Sequence, residues 1–388
     1  MKTIYLDNAA TTPIDKEVID VMYESMLHNN GNPSSIHQFG RKAKSSVETA
    51  RKNIAKHFNV SASELIFTAG GTEADNLILQ NAVTNLGIKV IITSKIEHHA
   101  VLHTAEHLKK TYDIHVVFVD VDAKGNIDLK HLEALLDAHK AQKCLVSLMY
   151  VNNEIGNLLP LAKVSAICKD YNALFHSDTV QAIGHYPLDL QRTPIDFFAA
   201  SAHKFHGPKG VGFAYFKKGF GIQPILHGGN QEKGARSSTE NVHSILGMEK
   251  ALEIAVSNIE KDKVYLTSLK TYFISELQSN FKDVAFNGNS NLLDKSSYTI
   301  LSVRFAKAND MLLFTLDLNG IAVSGGSACQ SGSSKGSHVL EELLNTVEAS
   351  KTSIRFSFSK NTTKEEIDIT IEKLKKIRSI ANTNKGTK

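Results

Sequence analysis

Between Glu64 and Phe216, short apolar and β-branched runs alternate with amphipathic stretches, the pattern of βα units that feed a largely parallel sheet with helices on both faces. The runs predict strands over 65–68, 90–93, 115–119, 145–150, 174–177, 197–201 and 211–216. Helical spacing of apolar residues predicts helices over 99–110, 129–139 and 161–171, and a further helix opening at Gly70-Gly71. From Glu240 a gapless helical pattern runs to Ser279 and reads as a connector into a second domain. That domain is expected to use strands near 284–286, 297–304, 321–324 and 353–358, and helices near 310–318, 337–344 and 364–378. Thr363 and Glu366 have the spacing of a capping box at the start of the last helix. The tail from Asn382 reads as frayed.

Composition narrows the class. With 388 residues, 42% hydrophobic and 22% charged, the chain is an ordinary globular protein long enough for two domains. The net charge of +4 is spread thinly, and the one basic cluster, 373–378, reads as a solvated helix face; no direct nucleic-acid binding is expected. Three cysteines, Cys144, Cys168 and Cys329, have neither zinc spacing nor a pairing framework, which suits a reducing cytoplasm and predicts no metal site. Lys2 to Asp7 is too polar for a signal peptide and no apolar run reaches membrane-spanning length, so no membrane association is expected.

In a sheet of this kind, ligands sit at the carboxyl ends of the strands. Gly70-Gly71-Thr72-Glu73, Glu97-His98, Asn152-Asn153-Glu154, Asp178 and Lys204 each fall just past a predicted strand and should converge there. The amides of the Gly71 helix start and the Thr72 hydroxyl suit a phosphate, although a plain strand-to-helix turn capped by Thr72 fits as well. Lys204, in Ser201-Ala202-His203-Lys204, and Asp178, closing the run before it, offer an amine and an anion on adjacent strand ends. Pyridoxal phosphate requires that pair: an amine for its aldehyde and an acid that keeps its ring nitrogen protonated. His98 could stack on such a ring and exchange protons, whereas His99, His103 and His107 read as a solvated helix face. Cys329, in a Gly/Ser/Ala-rich segment, reads as a reactive thiol, and Cys144 and Cys168 as inert core residues. Arg355, mid-strand among apolar neighbours, needs an anionic partner, either a substrate carboxylate or a structural acid.

Taken together, Tyr5-Leu6-Asp7-Asn8-Ala9-Ala10-Thr11-Thr12-Pro13, Gly31-Asn32-Pro33-Ser34-Ser35, Gly71-Thr72-Glu73, Val151-Asn152-Asn153-Glu154, Ser177-Asp178-Thr179-Val180-Gln181, the Lys204 stretch, Arg236 to Asn241, Gly326-Ser327-Ala328-Cys329 and Ser353 to Ser357 closely resemble the NifS/IscS-type cysteine desulfurases. These are fold type I pyridoxal phosphate enzymes of the class V aminotransferase group, and the resemblance spans nearly the whole chain. It implies an α/β fold: a mostly parallel, doubly wound sheet in a large domain of residues 14–258, with a smaller α/β domain made of 1–13 and 259–388. It also implies the roles of the residues. Lys204 would form the Schiff base, Asp178 would pair with the ring nitrogen, His98 would stack on the ring and Gln181 would bond the phenolic oxygen. Asn153 would lie near that oxygen and the substrate carboxylate, while Gly71, Thr72, Ser201 and His203 would hold the phosphate, joined by Thr239 from the other subunit of a homodimer. Arg355 would clamp the carboxylate of L-cysteine, and Cys329 would take its sulfur as a persulfide, leaving L-alanine.

The expected acceptors are an iron-sulfur scaffold or a tRNA thiolation factor. Ala202 and Gly326 stand where relatives more often carry Gly and Ser, 330–336 is unusually rich in Ser and Gly, and longer relatives carry a further C-terminal segment for the scaffold. The alternatives are a selenocysteine lyase or other pyridoxal phosphate lyase, which needs no persulfide on the protein, and a non-catalytic assembly platform.

Overall fold

The computed structural model describes residues 3–306, 308–309, 311–325 and 336–383, so Cys329 and its neighbours lie outside the described residues. The chain opens with a short strand, β1 (Ile4–Tyr5), followed by helices α1 (Lys16–His28) and α2 (Gln38–Lys56). Strands β2 (Leu65–Thr68), β3 (Val90–Thr93), β4 (His115–Phe118), β5 (Cys144–Ser147), β6 (Leu174–Asp178), β7 (Phe197–Ser201) and β8 (Gly212–Phe216) then form one sheet in the order β2-β8-β7-β6-β5-β3-β4. All pairings are parallel except those of β8, which runs antiparallel to both β2 and β7. β2, β3, β5, β7 and β8 are buried at every position, which is why their sequences are unbroken apolar runs rather than alternating ones.

The period of two nevertheless sorts side chains between two cores. Ile92, Val146, Phe198, Ala200 and Phe213 face one core with Val47 and Ile54 of α2 and with Leu132 of α5 (Leu129–Ala138) and Val164 of α6 (Leu161–Asp170). Ile91, Leu145, Phe197, Ala199 and Ala214 face the other, with Leu77 and Ile78 of α3 (Gly71–Thr84) and Val101 and Leu108 of α4 (His99–Thr111). The sheet is therefore doubly wound. Within 14–63, where the hydrophobic pattern predicts no element, the chain forms α1 and α2.

Helix α7 (Val242–Asn280) runs unbroken for 39 residues. Its first part packs Ile245, Met248 and Leu252 into the α2 side of the sheet. Its last part packs Leu266, Leu269, Phe273 and Leu277 into a separate core. That core is covered by an antiparallel sheet of β9 (Ala285–Phe286), β10 (Ile300–Arg304) and β12 (Ser353–Ser357), in the order β12-β10-β9, while β11 (Ile321–Ala322) pairs in parallel with β1. Helices α8 (Leu312–Leu318) and α11 (Lys364–Thr383) complete it, while α9 (His338–Leu343) packs Val339, Leu340 and Leu343 against Ile96 and Ile155 and is followed by the short α10 (Thr346–Ala349). The capping box at α11 forms as the sequence predicts: Thr363 N–H donates to Glu366 Oε2 at 2.9 Å and Glu366 N–H to Thr363 Oγ1 at 3.2 Å. Among the described residues no helix is long and apolar enough to cross a membrane.

Candidate active site

The turns that follow β2, β3, β5, β6 and β7 meet around a cavity of about 200 Å³ at the carboxyl end of the sheet. Gly71, Thr72, His98, Asn153, Asp178, Gln181, Ser201, His203, Lys204 and Arg355 all line it. One end is the start of α3. Its first helical hydrogen bond runs from Ala74 N–H to Gly70 C=O at 3.1 Å, so the amides of Gly71, Thr72 and Glu73 have no acceptor within the helix. Gly70 takes φ +155°, a conformation side chains rarely adopt, and a Cβ on Gly71 would come within 2.5 Å of Val180 Cγ2. Glu73 is turned back by Ala69 N–H at 2.8 Å and by Arg236 at 2.8 Å, which keeps this carboxylate off the open amides. Ser201 ends β7 beside Gly70.

Lys204 sits in the connection between the antiparallel neighbours β7 and β8. That turn is braced at its neck by Ala202 N–H to Val211 C=O at 3.1 Å and Gly207 N–H to Ala202 C=O at 2.9 Å. The Lys204 Nζ donates to the carbonyls of Ala9 and Ala10 at 2.6 and 2.9 Å. Gln181 Nε2 donates to the same Ala9 carbonyl at 2.8 Å. The N-terminal segment is therefore part of the site, a role the sequence did not disclose. Thr12 secures it, donating to His203 C=O at 3.0 Å and accepting from His206 N–H at 2.8 Å. His203 is pushed down to about 4 by burial and by Lys204 and Lys209, so its ring is neutral.

Asp178 closes β6 and accepts from Val180 N–H at 2.9 Å. Burial raises its carboxyl above the ordinary value, with His98 and Lys204 pulling the other way. His98 caps α4 by accepting Ala100 N–H on Nδ1 at 3.1 Å, so in the neutral ring the proton resides on Nε2. Burial lowers its pKa and favours that neutral form.

Two further acids lie behind Asp178. Asp75 is buried, lines the cavity and stands 3.3 Å from His176 Nε2, whose Nδ1 meets Ser147 Oγ at 2.8 Å. Glu97, bonded by Ser94 and by Met149 N–H, is pushed up to about 8 chiefly by burial. Closely spaced buried carboxyls cannot all ionise, and both of these are raised by the charge of Asp178.

Arg355, on β12, is 2% exposed; its Nη1 donates to Asn153 C=O at 2.8 Å and its Nη2 to Asp7 Oδ1 at 2.9 Å. Its buried Nε has no partner among the described residues. Of the remaining expectations, Thr239 is exposed and is not among the residues lining the cavity of its own chain. Cys329 lies outside the described residues. Cys144 and Cys168 are buried and their thiols pushed up by burial, in keeping with an inert role. His103 and His107 are exposed, but His99 leaves the solvated face: it lines the cavity, with its ring centroid 4.4 Å from that of His338. Asp7, Asp75 and His338 escaped the sequence reading because their partners are remote in the chain.

The geometry can be set beside known proteins. Residues 4–370 match the model of the aminotransferase class-V family. Cysteine desulfurase IscS of Dictyoglomus turgidum is 42% identical over 380 residues, covering 97% of this chain and 94% of that protein. Among solved structures, a NifS-like protein superposes with a TM-score of 0.89 at 37% identity, covering 98% of this chain and 100% of that one. SspA in complex with cysteine gives a TM-score of 0.79 at 28% identity, covering 92% and 99%. A lysine and a carboxylate on neighbouring strand ends, facing an open helix start in a fold shared along nearly the whole chain, place this protein in the class-V aminotransferase family of fold type I pyridoxal phosphate enzymes.

Proposed function

We propose that the protein is a cysteine desulfurase, converting L-cysteine to L-alanine and leaving the sulfur as a persulfide on Cys329. The observation that carries this reading is the meeting of Lys204, Asp178, His98 and Arg355 in one cavity against the α3 start. The donor set fits pyridoxal phosphate. The open amides of Gly71, Thr72 and Glu73, with Thr72, Ser201 and His203, suit the phosphate. Asp178 suits the ring nitrogen, His98 a ring face and Gln181 the phenolic oxygen. When bound, the cofactor supplies an aldehyde for an amine and a ring that accepts electron density from the substrate α-carbon.

The chain's own groups do the rest. Lys204 holds and moves the α-proton at Nζ, and His98 can donate from Nε2. Arg355 and Asn153 orient the carboxylate. Cys329 attacks the substrate sulfur as a thiolate: the carbon–sulfur bond breaks, a sulfur–sulfur bond forms, and the carbon fragment leaves as alanine once protonated.

The same reading makes the protein a homodimer in which Thr239 reaches the partner's phosphate site. Its support is that Thr239 is exposed, and that Ile19, Tyr23, Met26 and Leu27 of α1, with Ile36 and Phe39, expose apolar side chains suited to a second copy. The division into 14–258 and 1–13 plus 259–388 is supported by the separate core that Ile4 and Leu6 share with Leu266 and Phe356. Two buried free thiols suit a reducing cytoplasm, where an iron-sulfur scaffold or a tRNA thiolation factor would accept the sulfur.

Single turnover with sulfur-labelled L-cysteine tests the proposal. Label on Cys329 together with one alanine per site is expected, and alanine release without label on Cys329 would mean a lyase instead.

A further inference from the structure

The guanidinium of Arg355 is engaged on two of its three nitrogens before any substrate arrives. Nη2 is held by Asp7 Oδ1 at 2.9 Å and Nη1 by the Asn153 carbonyl at 2.8 Å, so each spends one of its two hydrogens, while the buried Nε–H has no partner among the described residues. A buried donor left open costs free energy that an incoming acceptor recovers. Arg355 lines the cavity and its side chain is 2% exposed, whereas that of Asp7 is 18% exposed. Asp7 is fixed from both sides: its backbone bridges to Ser357 beside Arg355, and its carbonyl accepts from the Tyr5 hydroxyl at 3.2 Å.

Asp7 and Arg355 together are neutral. A carboxylate bound to the same guanidinium would make the trio net negative, with two anions a few ångströms apart in a partly desolvated place. The other ionisable side chains lining this cavity include Asp178, Asp75, Glu154, His98 and Lys204, and Tyr5 lies against the Asp7–Arg355 pair.

We propose that Asp7 is a positioning residue that sets how tightly the site holds a substrate carboxylate: it orients the guanidinium while leaving N–H groups of that guanidinium to be filled, and its charge opposes the second anion. The proposal rests on Arg355 being the carboxylate clamp. Orientation and charge are separable by substitution. Asp7→Asn keeps an oxygen acceptor for Nη2 and removes the charge, and Asp7→Ala removes both.

The test is calorimetric titration of the cofactor-loaded protein with L-alanine, with KM and kcat for L-cysteine measured alongside. Asp7→Asn should bind L-alanine about tenfold more tightly, the effect of deleting one like charge some 6 Å away in a half-solvated site. KM for L-cysteine should fall with it while kcat does not rise, because tighter ground-state binding leaves the barrier from the bound state no lower. Asp7→Ala should instead bind L-alanine more weakly than the parent. Asp7→Ser, a second neutral side chain with an oxygen, must lie on the tight side of Asp7→Ala if Asp7→Asn does not fold. Unchanged or weaker binding by Asp7→Asn overturns the proposal, as does equal tightening by Asp7→Ala. Arg355→Gln separates the two readings: if it leaves L-alanine binding unchanged, the clamp itself is wrong. If it weakens binding while Asp7→Asn does not tighten it, the inference about Asp7 alone falls.

Discussion

Gly71→Ala is the sharpest probe of the phosphate end of the cavity. The added methyl would stand 2.5 Å from Val180 Cγ2, whereas carbons in contact sit about 3.5–4.0 Å apart. The first turn of α3 or Val180 must therefore give way by about 1 Å. Val180 yields poorly, since its side chain is β-branched and its N–H is bonded to Asp178 Oδ1 at 2.9 Å. In the cofactor-free protein the helix start can back away and relieve the strain, but phosphate binding calls its amides home again. Overpacking of this size costs about 1–3 kcal/mol, which at about 1.4 kcal/mol per decade weakens cofactor binding roughly 5- to 150-fold. The assay is fluorescence titration of cofactor-free protein with pyridoxal phosphate. Val180→Ala removes the clashing atom, so the double variant should return to within about threefold of Val180→Ala alone, the mark of coupled neighbours. An affinity for Gly71→Ala indistinguishable from the parent's, or a double variant no better than Gly71→Ala, would refute the reasoning.

Other outcomes follow from groups around the cavity. In the cofactor-free protein, burial keeps the proton on Glu97 up to about pH 8, against an ordinary value of 4.5. The folded state thus binds more protons than the unfolded one across that window, and this residue's contribution to stability falls as pH rises. Glu97→Gln should therefore gain stability over the parent by up to about 1.4 kcal/mol per pH unit between pH 5 and 8, and a gap in urea midpoints that does not widen with pH contradicts the assignment. Arg51 and Glu232 form a buried bidentate pair at 2.6 and 2.7 Å, so Arg51→Met should cost about 3–5 kcal/mol in urea unfolding. Arg51→Met with Glu232→Leu should cost less than Arg51→Met alone, because no unpaired charge is left buried. Cys329→Ala should keep the cofactor and lose alanine production, whereas Lys204→Ala should lose the covalent attachment of the cofactor, read from its absorbance; turnover retained at the parent's level by either variant sinks the role proposed for that residue.

The sheet and its turns were legible because most strands carry their own signal, a buried run of three or four apolar residues closed by Thr or Ser and a polar turn. Once the strand order is parallel, their carboxyl ends must share one edge, so the convergence of Thr72, His98, Asn153, Asp178 and Lys204 follows from local patterns alone. The last helix was legible through its capping pair for the same reason. Contacts whose partners lie far apart in the chain were not. β1 pairs with β11 across more than three hundred residues through two positions, which leave no periodicity to read. Asp7 looks like an exposed acid until Arg355 is brought to it, and Glu232 looks like any loop glutamate until Arg51 closes on it. The reverse placement of β8 was also hidden, since a strand buried on both faces has the same sequence in either direction.

One helix has a thermodynamic consequence. At about 1.5 Å per residue, the 39 residues of α7 extend for about 58 Å, and its two ends are anchored in different cores. Melting either core strips the apolar cover from half of a continuous hydrogen-bonded rod, and the exposed half loses the tertiary packing on which helices of globular proteins depend. The loss of one core is thereby felt by the other. The chain should unfold with the cooperativity of a single unit, and a calorimetric trace with one transition, rather than one for each core, would be the signature of that rod.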